Sequence, residues 1–276
     1  MLDKIIATFC ILDDLLTILH HRNDPQAKIT DSEILTIAIV ACQEFGGNMR
    51  KALQWVKALQ LFSFVPSESR FNRRLHRLMP LLHALAPLFH AMWQHLEPCT
   101  DYALDTFPMP VCENIRANRC RIAPDKAVRG YVPAHRHYFH GVKVHLLVVS
   151  GGFIAEFWLT PGSWHDLTGL YGMALDIPEG SQVLVDRGYT DYFAEDTLQA
   201  AEGVELCALR RRGSKRYCSY RQYWVGVRRR FVESVGSCLH SLLPRRVHAV
   251  TLSGFMLKLI CFVFAHNLNL LHKVAS

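Results

Sequence analysis

The amino-acid sequence predicts a mixed α/β fold (α+β mixed sheet) preceded by an all-helical N-terminal region. Three observations carry this reading. The first 97 or so residues are a succession of apolar runs at helical spacing. After Pro98 the pattern changes to short β-branched runs, among them a hairpin signal centred on Gly151-Gly152. The remaining order of strand, two hairpin strands, helix, strand, helix, strand and helix describes a mixed sheet flanked by helices. We therefore expect a helical region over residues 1–98 and a sheet-bearing region over 99–276.

In the helical region, Ile5, Ile6, Phe9, Leu12, Leu15, Leu16 and Leu19 recur on one face, so residues 2–22 read as an amphipathic helix that ends at Asp24-Pro25. Thr30-Asp31-Ser32-Glu33 has the capping-box pattern and opens a second helix, which runs to Phe45 before Gly46-Gly47. A third covers residues 49–61. A fourth starts at Ser67 and carries Arg70, Arg73, Arg74 and Arg77 on its polar side. Pro80 then separates it from a fifth, residues 81–96. The second to fourth helices allow a helix-turn-helix whose arginine-bearing member enters a DNA groove; a solvated basic face reads as well.

Beyond Pro98, residues 101–105 read as a short strand that stops at Pro108. Residues 112–133 are polar and aperiodic, so a long loop is expected. Tyr138 to Val149 alternates as a strand, and Gly151-Gly152 turns it into a partner at residues 153–159. Ser163 is the expected cap of a helix over residues 165–175. A strand at 182–186, a helix at 192–201 and a strand at 204–209 follow. An arginine-rich link, then helices holding Glu233 and the apolar run Leu252 to Leu271, complete the chain.

Composition narrows the function classes. Half of the 276 residues are hydrophobic, which excludes a disordered tail. The net charge of +7 is uneven: residues 204–276 hold 13 Lys/Arg against 2 acidic residues, while residues 1–203 hold 18 against 22. Such a basic C-terminal quarter favours a polyanionic partner, nucleic acid before a membrane surface. Nine scattered cysteines without a C-x-x-C pair argue against a disulfide framework or a structural zinc site. The N-terminus lacks the basic start of a secretory signal. Lys258, His266, Asn267 and Asn269 interrupt the longest apolar stretch, so a buried helix and a cytoplasmic location are expected, with no membrane partner.

Three carboxylates stand out: Asp105 and Asp186, each ending an apolar strand-like run, and Glu233, on a helical stretch beside Arg229 and Arg230. In an open α/β sheet, sites gather at the carboxyl ends of strands. Carboxylate oxygens suit Mg²⁺ or Mn²⁺, and two such ions about 4 Å apart serve in-line displacement at a phosphodiester. Taken singly, each has a plainer reading as a turn former, a cap or an ion-paired surface residue. No Gly-rich phosphate loop of the G-x-x-x-x-G-K type is present, so ATP is not implied.

The segments Asp105-Thr106-Phe107-Pro108-Met109-Pro110-Val111-Cys112, Gly141-Val142-Lys143-Val144-His145, Thr160-Pro161-Gly162-Ser163-Trp164-His165-Asp166, Leu184-Val185-Asp186-Arg187-Gly188-Tyr189 and Arg229-x-x-x-Glu233 resemble, in order, the catalytic domain of bacterial insertion-sequence DDE transposases, with the look of the insertion sequence 982 group. Each motif alone is weak; five in order are specific. The resemblance implies an RNase H-like core over residues 99–276, with Asp105, Asp186 and Glu233 as a metal-binding catalytic triad. It implies Mg²⁺ or Mn²⁺, two ions, as cofactor. The reaction would be cleavage at element ends to expose 3′-hydroxyls, then strand transfer into target DNA. The partners would be double-stranded DNA (terminal inverted repeats and target), bound by a homodimer. Two positions depart from the pattern: His240 stands where a phosphate-contacting Lys is common, and Gly236 replaces an apolar residue, which lowers helix propensity by about 1 kcal/mol.

Further candidates are less sharp. Lys143 and His145 share a strand face and are placed to touch phosphate, or have no role. Asp166 either assists the metal or caps its helix. His135, His137 and His140 invite a zinc reading, but they are expected to have no cysteine partners and sit at a loop-to-strand junction, so a solvated or DNA-facing cluster is favoured. The basic segment 210–230, with Arg211, Arg212, Lys215, Arg229 and Arg230, interleaves with Tyr217, Tyr220, Tyr223 and Trp224 and reads as DNA-contacting, with His240 beyond it. Two other readings remain open: another RNase H-like nuclease, acting on junctions or RNA–DNA hybrids, and a DNA-binding regulator or immobile relic.

Overall fold

The structure is a computed structural model that describes residues 2–132, 136–244 and 247–274. Its helices are α1 (Leu2–Ile18), α2 (Asp31–Glu44), α3 (Met49–Ala58), α4 (Glu68–Arg77), α5 (Met79–Leu96), α6 (Asp166–Gly172), α7 (Tyr192–Glu202), α8 (Ser219–Arg228), α9 (Arg230–Leu242) and α10 (Leu252–Val274). Its strands are β1 (Asp101–Cys112), β2 (Arg129–Val132), β3 (His137–Val149), β4 (Ile154–Pro161), β5 (Gln182–Val185) and β6 (Glu205–Ala208). Packing groups the residues up to Ala91 with those from Cys238 onward, and Met92–Ser237 by themselves. This differs from the division at residue 98 that the sequence suggests. The cause is α10, whose Phe255, Leu259, Ile260, Phe262, Val263 and Leu268 are buried and which packs on α1 and α2. By length and apolarity alone α10 passes for a membrane span, but most of it is buried.

In the helical unit, the expected capping box is present: Glu33 N donates to Thr30 Oγ1 at 3.2 Å, and Thr30 N donates to Glu33 Oε2 at 2.7 Å. α2 is buried on nearly every side, with Ile34, Leu35, Ile37, Ala38 and Ala41 inaccessible. Among the α4 arginines, Arg74 faces inward. Its Nε donates to Asp31 Oδ1 at 2.7 Å and its Nη1 to the Ile29 carbonyl at 2.6 Å. Arg70, Arg73 and Arg77 remain exposed. Pro80 does not separate two helices but sits in the first turn of α5, where its missing N–H costs nothing.

The sheet unit holds six strands in the order β2-β3-β1-β5-β6, with β4 also paired to β3. β1, β3 and β4 are antiparallel neighbours, and β5 and β6 run parallel to β1. The expected strand over 101–105 is longer than the sequence suggests. β1 continues through Pro108 and Pro110 to Cys112 because β3 pairs with it throughout. β5 leaves the opposite edge after Leu104↔Val185. The two prolines are two residues apart, so their missing donors fall on one edge, the one that β5 no longer covers. The stretch 112–133 is likewise more ordered than a loop: 3₁₀ turns at Asn114–Arg119 and Lys126–Val128 lead into β2. The arginine-rich link contains a helix, α8.

Candidate active site

Register brings the first two carboxylates together. Leu104 and Val185 are partners on parallel strands, so the next residue of each chain, Asp105 and Asp186, lies at the same level of the sheet. Asp186 leaves β5 in extended conformation and starts the 3₁₀ turn Arg187–Tyr189. Asp105 stays within β1, where Thr106 N donates to its Oδ1 at 2.8 Å.

The third carboxylate arrives on α9. Val232, Val235 and Leu239 bury the inner face of that helix, and Glu233 is exposed in its first turn. Burial raises the Asp105 carboxyl above the usual carboxylate range. Arg229 and the Thr106 N–H oppose this, and the charges of Asp186 and Glu233 push it further up. The three expected carboxylates therefore share one electrostatic neighbourhood.

Gly236, one turn after Glu233, seats α9. A Cβ on Gly236 would overlap Cε1 and Cζ of Phe107, and even Cδ1 would be 2.8 Å away. Phe107 is two residues after Asp105 on β1. The glycine that looked like a defect in helix propensity is the close-approach point that brings α9 down beside Asp105.

Arg229 is a correction to the sequence reading. It is not a surface contact for DNA but is buried at the junction of α8 and α9. Its Nη2 donates to Asp105 Oδ2 at 2.8 Å, and its Nη1 lies 3.6 Å from Asp186 Oδ1. One guanidinium thus spans both aspartates.

His145 is corrected too. It is inaccessible, and both ring nitrogens are engaged, so no phosphate can reach it. Nδ1 is 3.1 Å from Thr106 Oγ1 and from the Tyr189 hydroxyl, and Nε2 is 2.9 Å from Thr160 Oγ1. Thr106 Oγ1 and the Tyr189 hydroxyl also bond to each other. Burial drives the His145 pKa down to about 4, with Lys143 adding to and Asp166 opposing that shift, so the ring is neutral. Gly169 of α6 lies flat on this ring, where any side chain would overlap it. The network joins the residue after Asp105 to the third residue after Asp186, and so fixes the two backbones on which the aspartates stand.

Lys143 is spoken for within the protein: its Nζ donates to Asp166 Oδ1 at 2.9 Å and to the Trp164 carbonyl at 2.8 Å. It is therefore not a free phosphate contact. Asp166 does not cap α6. His165 does, its Nδ1 accepting from Leu167 N at 3.3 Å, and the expected cap Ser163 lies two residues earlier. Asp166 lies beside the Asp186 turn, close enough that a Cβ on Gly188 would sit 3.0 Å from its Oδ2.

The basic segment divides in two. Arg210 and Arg216 pair with Glu195, Arg216 also with Asp196, Arg221 with Glu205 and Arg228 with Asp101. Arg211, Arg212, Lys215 and Arg230 are exposed and make no ion pair among the described residues, and Tyr220 and Tyr223 are exposed beside them in sequence. His240 is exposed in the last turn of α9. Sequence reasoning missed Thr106, Thr160 and Tyr189. Each lies in one of the motif segments, but no role was read for its hydroxyl; strand register brings Thr106 and Thr160 to His145, and the turn after β5 brings Tyr189.

A family model described as "Transposase DDE domain" matches residues 98–245, more than half of the chain and all three carboxylates. No curated protein and no solved structure matches it. The mixed sheet is consistent with the RNase H-like core expected of that domain.

Proposed function

The chain belongs to the DDE transposases, and from that premise we propose that Asp105, Asp186 and Glu233 are its metal-binding catalytic triad, acting on phosphodiesters at the ends of a DNA element. The observation that carries this reading is the register that sets Asp105 beside Asp186, with Glu233 acting on the same carboxyl from α9. Three convergent carboxylates repel one another and call for a cation. Arg229 offsets part of that charge, and an all-oxygen donor set suits Mg²⁺ or Mn²⁺ rather than a soft metal. Two such ions, when bound, activate the attacking oxygen and stabilise the departing one.

The chain's own residues supply the positioning. Asp105 and Asp186 are held by the neutral His145 network and by Arg229, which offsets their charge. Glu233 stands at the solvent side, on a helix fixed by Gly236. Arg211, Arg212, Lys215 and Arg230, exposed and without an ion pair among the described residues, present cations to the DNA backbone, with Tyr220 and Tyr223 available for stacking. Cleavage exposes a 3′-hydroxyl at each element end, and that hydroxyl attacks a target phosphodiester. Because two ends are joined to one target, the DNA-bound form is a homodimer.

The test is to incubate the purified protein with DNA carrying the ends that flank its gene, in Mg²⁺, Mn²⁺ or chelator. Metal-dependent cleavage that leaves 3′-hydroxyls and is lost in Asp186→Asn, with DNA binding retained, is the expected result. Cleavage by Asp186→Asn at the wild-type rate would remove Asp186 from the triad.

A further inference from the structure

The sequence argued against structural zinc, yet folding gathers Cys112, Cys120 and His140 so that one ligand atom from each lies within 4.8 Å of the others. Three independent features build this cluster. Cys112 and His140 are direct cross-strand partners at the end of the β1/β3 ladder, and the register shift between Pro110 and Cys112 is what sets them opposite each other. Cys120 ends the 3₁₀ turn Asn114–Arg119, whose short span folds it back until its Sγ lies within 4.8 Å of that of Cys112. His140 is buried, and its Nε2 lies 2.8 Å from the Ala123 carbonyl. A carbonyl only accepts, so Nε2 carries the proton and the other ring nitrogen keeps a free lone pair. That is the outer-shell arrangement that orients histidine toward a metal. His137 is outside the cluster, and His135 lies outside the described residues.

We propose that Cys112, Cys120 and His140 bind one zinc ion, which clamps the excursion between β1 and β2 to the end of the sheet. Two thiolates and an imidazole suit Zn²⁺, whereas the all-carboxylate group suits Mg²⁺. A tetrahedral site with Zn–S of about 2.3 Å needs ligand atoms roughly 3.8 Å apart, which small side-chain rotations supply. Binding exchanges the two thiol protons, released to solvent, for two S–Zn bonds and one N–Zn bond. A water takes the fourth position. Cys112 is seven residues along β1 from Asp105, on the order of 20 Å, so the two metal groups are separate. The proposal does not depend on the role of the carboxylate triad.

The test uses the full chain, purified with reductant, loaded with Zn²⁺ or Co²⁺ and desalted. Mass-spectrometric metal analysis is expected to find stoichiometric zinc, unchanged in Asp186→Asn and in Cys10→Ser, and lost in Cys120→Ser. His140→Gln should weaken binding about tenfold or more. The wild-type Co²⁺ form should show thiolate-to-cobalt charge-transfer bands, which report the ligand set even where a variant folds poorly. Trypsin should cut at Arg119 and Arg121 several-fold more slowly in the zinc form than in zinc-free protein, both kept in Mg²⁺. No retained zinc, zinc retained equally by Cys120→Ser and His140→Gln, or a Cys112–Cys120 disulfide in place of metal would each overturn the proposal.

Discussion

Gly236 and Phe107 are fitted to each other: the backbone of α9 rests against the aromatic ring with no room for a methyl group between them. Gly→Ala inside a helix ordinarily stabilises by about 1 kcal/mol. Here we expect Gly236→Ala to destabilise by about 1–3 kcal/mol through overpacking and to cut cleavage more than stability alone explains, because it moves Glu233. Phe107→Leu in the Gly236→Ala background should restore part of both. Denaturant titrations on the four members of that double-mutant cycle measure the coupling; additive effects would show that the contact does not set the helix position.

Arg229 neutralises two aspartates at once. Removing one partner of a buried pair costs about 3–5 kcal/mol; with Asp186 half-exposed, about 2 kcal/mol is expected for Arg229→Ala in chelator. Divalent cations should recover more stability in that variant than in the wild type, since they meet an unshielded pair of carboxylates. Thermal melts with and without Mg²⁺ decide it, and equal Mg²⁺ shifts in both proteins would contradict the bridging role.

His145 gives the fold an acid sensitivity. Its folded pKa of about 4 lies below the unfolded value of about 6.5, so the unfolded chain takes up the proton first. The stabilisation from its neutral form is complete above about pH 6.5 and is lost as the pH falls toward 4, at most about 3 kcal/mol in total. His145→Gln should be less stable at pH 7 but should show a shallower loss between pH 6.5 and 4. Urea midpoints across that range provide the check.

Asp105 has the opposite sign. Its folded pKa is raised, chiefly by burial, so ionising it works against the fold, and stability declines as the pH rises from the unfolded carboxyl value through the folded one. Asp105→Asn should therefore raise Tm in chelator, by on the order of 2 °C, while abolishing cleavage. A lower Tm would mean that the Arg229 pair outweighs burial.

How far the sequence discloses this site can be judged residue by residue. Asp105, Asp186 and Glu233 were visible because each ends or opens an element, and element ends leave a mark in local pattern. The capping box at Thr30 and Glu33 was visible for the same reason. Arg229 and His145 were placed on a surface they do not occupy. Basic and imidazole side chains look solvated until cross-chain partners are known, and those partners are 124 residues away for Arg229 and 44 for Tyr189 with His145. Cys112, Cys120 and His140 fit no spacing rule because strand pairing, not a short loop, unites them. The extent of β1 was hidden by Pro108 and Pro110, which local preference reads as a stop although only one edge of the strand is affected.

The pairing of α10 with α2 sets an order of assembly on the ribosome. α2 emerges early, but the helix that covers it is made roughly 200 residues later, a delay on the order of 10–40 s at ordinary rates of synthesis. Over that interval the strands of the sheet unit emerge in full, while the first helices wait with an apolar face uncovered. The catalytic half can thus be complete before the half that precedes it in sequence, and a chain released short of α10 would carry a finished sheet beside an unfinished helical bundle.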